Sequence, residues 1–307
     1  MRIRSCNDRQ LNAWLLAGLT APVAGLAGKM PWQNVALIGV VCVLACCLVG
    51  RFGTAPSRWM GDLEYLWMIY VLSWLLRKPS ESWISETAYP AVPLILLALA
   101  AVSASRGLSA SARTGSCLFW LIALVFAGVI AAGAGEVETK ELLKSGTEWD
   151  PVLPMILLIP ALVIYGREGG GKVLPASLGI GTFAVVISLL VVRTLSLEVG
   201  MISENPFREW VSGLSLVGTL QRFDALVSVA LTMGWFTLLS FVLCVAGRMR
   251  EGVNENSYGK GVLFAAVSGG ALMWLPIAYS SEIVLILCVI LWFVAPIVWN
   301  MVTGKKN

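Results

Sequence analysis

Several short stretches of the chain combine residue types able to hold a charged small molecule inside an apolar environment. The first is Gly18-Leu19-Thr20-Ala21-Pro22-Val23-Ala24-Gly25. Gly and Pro both weaken helical hydrogen bonding, so freed N–H groups there could meet a ligand carboxylate. The same residues equally suit close helix packing or a kink. The second is Trp149-Asp150-Pro151-Val152-Leu153-Pro154. Asp150 could hold an amine with the Trp149 ring against the cation, or it could cap a helix that starts at Pro151. Arg222 and Asp224 form a charge pair at the edge of a long apolar run, suited to a structural role or to gating and subunit contact. Asp62 and Glu64 open another apolar run; they read chiefly as a solvated helix start, with ion coupling as the alternative.

Other chemistries are disfavoured by what the sequence lacks. Histidine is absent, which removes the commonest general base and the commonest metal ligand. Most of the seven cysteines lie in apolar runs and none pair at disulfide or zinc-finger spacing; they read as small buried or lipid-facing residues. Gly169-Gly170-Gly171-Lys172 lacks the strand before it and the Ser or Thr after it that a phosphate loop needs, and reads as a polar turn. No Ser nucleophile has an obvious base. The expectation is therefore a protein without catalytic residues, metal or cofactor, and a net charge of +4 spread along the chain gives no case for nucleic acid.

These residues must be positioned by membrane helices. Apolar residues make up 58% of the 307 positions and charged ones 13%, against about 45–50% and about 25% in a soluble domain. A span needs about 20 mostly apolar residues, and about ten segments qualify. They are Leu11–Gly28, Trp32–Gly50, Asp62–Leu76, Tyr89–Ser105, Ser116–Gly135, Pro151–Tyr165, Leu174–Val192, Leu220–Ala246, Gly261–Ala278 and Ile283–Val302. With the amino terminus in the cytoplasm, alternating crossings place Arg51, Arg58, Arg106, Arg113, Arg248, Arg250 and Lys260 on the cytoplasmic side. Glu136, Glu138, Glu141, Glu198, Glu204 and Glu209 fall on the other, as the positive-inside rule prefers. Both termini are then cytoplasmic. The loops 136–150 and 194–220 are each long enough for a short surface helix, and apart from Trp235 the thirteen Trp read mostly as interfacial-belt residues. The whole chain, 1–307, reads as one transmembrane domain.

The stretch Asn205 to Leu226, ending in Gln221-Arg222-Phe223-Asp224-Ala225-Leu226, resembles the start of the eighth helix in endospore germination permeases, the B-type subunits of nutrient germinant receptors. Arg106-Gly107-Leu108-Ser109-Ala110-Ser111-Ala112-Arg113 is similar to that family's short basic cytoplasmic loop. Asn7-Asp8-Arg9-Gln10 resembles its Gln-bearing start, and Glu141-Leu142-Leu143 with Pro151, Pro154 and Pro160 fits its Pro-interrupted sixth helix. The chain is shorter than that family, and its Gly18–Gly25 stretch matches the first-helix break only loosely.

The resemblance implies an all-α bundle of the amino acid–polyamine–organocation superfamily, with five-plus-five inverted repeats and discontinuous helices 1 and 6. Irregular backbone inside a membrane persists only where it lines a cavity. Under that fold Tyr65, Tyr70, Thr232 and Trp235 would join Gly18, Thr20, Pro22, Gly25, Trp149, Asp150 and Pro154 around a nutrient, expected to be an amino acid. A-type and C-type receptor subunits would be the partners, and the spore inner membrane or a bacterial cell membrane the location. The alternatives are a secondary transporter of an amino acid or amine in the same superfamily, and a non-transporting membrane scaffold.

Overall fold

A computed structural model describes residues 8–28, 33–37, 40, 58–82, 91–134, 174–195, 202–203, 205–214, 223–251, 257–275, 286–288, 290–295, 298–299 and 302. Among these residues the chain is almost entirely helical and contains no strand. The helices are α1 (Asp8–Leu26), α2 (Arg58–Ser82), α3 (Ala91–Ser105), α4 (Leu108–Gly133), α5 (Leu174–Leu195), α6 (Pro206–Gly213), α7 (Phe223–Glu251) and α8 (Tyr258–Leu272), followed by a π-helical segment, Ile290–Val294. Among the described residues, α4, Leu178–Leu195 of α5 and Asp224–Arg250 of α7 are each long and apolar enough to cross a membrane.

The central element is α7, which packs against α1, α2, α3, α4, α6 and α8. Of its membrane-length stretch 78% is buried, against 22% for α4. Such a helix is apolar on every side because every side meets another helix. The outer helices keep exposed apolar stripes instead: Leu94, Ile95, Leu99 and Val102 on α3, Trp120, Leu121 and Leu124 on α4, Leu263, Phe264 and Val267 on α8. Contiguous exposed leucine and valine would be a liability in water and is what a lipid-facing surface requires.

Small residues set how closely the helices approach. A Cβ at Gly18 would lie 3.2 Å from the backbone of Leu238, and one at Gly234 would lie 3.2 Å from the Ala17 carbonyl. The Trp14 ring lies over Gly115 of α4 and edge-on to Phe241 of α7 at 5.1 Å. Read in order, Trp14, Gly18 and Ala21 of α1 meet Phe241, Leu238 and Gly234 of α7, so the two helices are antiparallel. α3 and α4 form a tight hairpin at Gly107, whose φ of 96° favours glycine, and Ser111 Oγ donates to the Ser103 carbonyl across it at 2.9 Å.

Some expectations need correction. The break expected over Gly18, Thr20, Pro22 and Gly25 is absent: α1 is helical from Asp8 to Leu26 with Pro22 inside it. Proline removes one ladder bond, but the helix is held on both sides of Pro22 by packing against α4, α5 and α7. The fifth span begins earlier than Ser116 because the α3–α4 hairpin starts α4 at Leu108. The belt reading fails for Trp14, Trp74, Trp210 and Trp292, which are all buried. The short helix expected between residues 194 and 220 is α6. It is capped by Asn205, whose side chain accepts from the Arg208 N–H at 3.2 Å and which precedes Pro206 at the first helical turn.

Candidate functional site

The residues singled out from sequence divide between two flanks of α7. On the α1 flank, Gly18 is a packing position, as above. The Thr20 hydroxyl donates to the Ala17 carbonyl at 2.7 Å, an intrahelical bond that leaves its proton engaged. A Cβ at Gly25 would meet nothing within 4 Å, and Pro22 is buried. On α7 itself, the Thr232 hydroxyl donates to the Ser228 carbonyl at 2.8 Å. Trp235 is buried, and its indole N–H has no acceptor among the described residues. Asp224 is exposed in the first turn of α7, a position open to either reading of that charge. Trp149, Asp150, Pro154 and Arg222 lie outside the described residues.

The α2 flank holds a denser polar arrangement. Tyr65 is buried, and its hydroxyl donates to the Gly261 carbonyl of α8 at 2.8 Å. The Arg250 guanidinium, from the end of α7, sits 4.6 Å from the Tyr65 ring centroid and its Nη1 donates to Asp62 Oδ1 at 3.0 Å. Gly261 is required there, since a Cβ would come within 2.8 Å of Arg250 Cβ. Ser257 Oγ closes the α7–α8 turn by donating to the Arg250 carbonyl at 2.6 Å. Tyr258 reaches further, donating to the Ala104 carbonyl at the end of α3 at 3.0 Å. Tyr70 lies one turn beyond this cluster, half-buried with its ring 5.5 Å from that of Trp67.

Within this arrangement Glu64 is buried at 1% exposure and engaged in an interaction of its own. The reading of Glu64 as a solvated helix start is therefore corrected. Asp62 keeps the solvated part of that reading, with its side chain 48% exposed in the pair with Arg250. Sequence held one usable signal: Met60, Glu64 and Met68 recur at helical spacing, and all three are buried. Glu64 thus lies on the stripe of α2 that faces the bundle. The contributions of Arg250, Tyr258 and Gly261 had no such signal, because they depend on how α7 and α8 meet α2.

A buried carboxylate on the bundle-facing stripe of α2 can hold a cation or carry a proton, with its charge state felt by the groups packed around it. Among the described residues no cluster of His, Cys, Asp and Glu could hold a metal ion. No family model matches the chain, and no curated protein matches it significantly.

Proposed function

We propose that the chain is a transporter-like membrane subunit of a nutrient germinant receptor, of the B type, that senses a small nutrient such as an amino acid. The reading rests on the sequence resemblance of the Asn205–Leu226 and Arg106–Arg113 stretches. The structural observation that favours a sensing or coupling role is Glu64, a carboxylate buried at 1% exposure on a helix assigned to the membrane. Such a group is costly to retain inside a bilayer without a partner; Glu64 already has one, and an arrangement of that kind is where a change of charge state would alter helix packing. The mutual directions of α1, α2, α7 and α8 are also those that ten alternating crossings would give, as five-plus-five repeats require.

In this account the operative charge is on the buried stripe of α2, and α1 is a packing element. A nutrient or ion that binds one arrangement of α2 against α7 more tightly than another shifts the population between them. A-type and C-type subunits would read out that shift. Co-purification of the tagged chain from sporulating cells tests the assembly: A-type and C-type subunits should be retained.

Glu64 also favours the second reading, a secondary transporter whose carboxylate couples amino acid or amine movement to a cation or proton. Uptake by proteoliposomes holding the purified chain alone separates the two. Uptake that Glu64→Gln abolishes supports the transporter; binding without uptake supports the receptor subunit. The continuous, closely packed α1 favours a scaffold, which would neither bind nor transport.

A further inference from the structure

A groove of about 520 Å³ opens between α3, α4 and α7, and it is apolar along most of its length. Leu96, Leu99 and Val102 form one wall, Leu118 another, and Met233 and Phe236 the floor. At one end the lining turns polar with Ser103, Arg106 and Thr114. From Leu96 to Arg106 is about 15 Å along the α3 axis, at about 1.5 Å per residue. That is about half the ~30 Å hydrocarbon core, or one leaflet.

We propose that this groove binds an anionic phospholipid, with an acyl chain along Leu96, Leu99 and Phe236 and the headgroup phosphate at Arg106. Three features select this occupant. The groove opens between helices whose outer faces are exposed leucine and valine, so bilayer lipid is its adjacent solvent. Arg106 is exposed and has no acidic partner among the described residues, leaving a cation at headgroup depth beside an apolar slot. The first turn of α4 adds to it: Gly107 supplies no side-chain cap, so its uncapped N–H groups favour an anion on the same side. Arg113, exposed on the turn of α4 that carries Thr114, reinforces the positive end. The basic hairpin also falls on the side assigned to the cytoplasm, whose leaflet carries anionic lipid. Thr232, which the family resemblance would place around a nutrient, also lines the groove, but the lipid proposal uses neither Thr232 nor Glu64.

The test uses the full chain purified in a neutral detergent and offered phosphatidylglycerol or phosphatidylcholine, with bound lipid counted by native mass spectrometry. Phosphatidylglycerol should be retained in preference. Arg106→Gln should weaken that preference about fivefold, the scale of one basic residue at an anionic surface. Leu99→Trp, which fills the groove at a position already exposed, should lower retention of both lipids. Leu124→Trp, on the exposed face of α4 outside the groove lining, should leave retention unchanged and controls for folding. Equal retention of the two lipids, indifference to both Arg106→Gln and Leu99→Trp, or no retained lipid because the groove is filled by the chain itself would each overturn the proposal. So would loss of bound phosphatidylglycerol on adding an equal concentration of inorganic phosphate, which would mean a simple anion site.

Discussion

Tyr65 and Arg77 reach α8 at the same sequence offset: the Tyr65 hydroxyl donates to the carbonyl of Gly261, and Arg77 Nε donates to that of Met273, each 196 residues further on. The bonds measure 2.8 Å in both cases. Equal offsets at two points three turns apart mean that α2 and α8 run parallel and in register. Between the two bonds, Leu72 packs on Gly269. Membrane-crossing helices that run parallel have an odd number of crossings between them, and five lie between the third and ninth segments expected from sequence.

The two ends of this pairing should respond differently to substitution. Tyr65→Phe keeps the ring under Arg250 but removes the hydroxyl that ties α2 to the Gly261 carbonyl of α8. The expected loss is about 1 kcal/mol, read as a lowered thermal midpoint in detergent. Asp62→Asn breaks a pair whose side chains are 38% and 48% exposed and should cost under about 1 kcal/mol.

Arg77 caps the end of α8, donating to the carbonyls of Leu272, Met273 and Leu275. Terminal helix carbonyls carry partial negative charge that a cation offsets. Arg77→Met should therefore destabilise the chain by about 1–2 kcal/mol, with faster amide exchange confined to the end of α8. Uniform change across the bundle would argue against a local cap.

Gly18 separates the packing reading of α1 from the ligand reading. Gly18→Leu would force a branched side chain onto the Leu238 backbone, and overpacking of this kind costs about 1–3 kcal/mol. A lowered unfolding midpoint in detergent without added nutrient is the expected result. An unchanged midpoint combined with loss of nutrient binding would return Gly18 to the ligand site.

The contact of Trp14 with Gly115 should be reciprocal. Gly115→Ala places a methyl group into the indole ring and should destabilise by about 1–3 kcal/mol. Trp14→Phe, which shortens the ring, should offset part of that loss in the double variant. A double-mutant cycle on unfolding midpoints measures the coupling, and strict additivity would mean the two residues do not meet.

Much of this architecture was legible in the sequence, for physical reasons that also mark where legibility stopped. Long apolar runs identify helices for α4, α5 and α7 because membrane length is a composition signal. What each helix faces is a different matter. A helix apolar all round gives no phase, so Trp14 reads as well for the lipid boundary as for the core. Gly18 and Pro22 are ambiguous in principle, since one residue type serves both helix breaks and close packing; only the position of Leu238 decides. Glu64 was readable from its phase with Met60 and Met68, and its nearness to the charged head of the span masked that signal. Arg77 and Tyr65 depend on the α2–α8 register, which no local pattern encodes.

The most direct test of a charge-sensing function is the response of the purified chain to an equimolar mixture of the twenty proteinogenic L-amino acids. Its thermal midpoint would be recorded in lipid nanodiscs, alongside that of Glu64→Gln. The account predicts a rise for the unaltered chain and none for the variant, each read against its own midpoint without amino acids, which for the variant is lowered by loss of the interaction that Glu64 makes. An equal rise in both, or none in either, would contradict a role for Glu64 in sensing the nutrient.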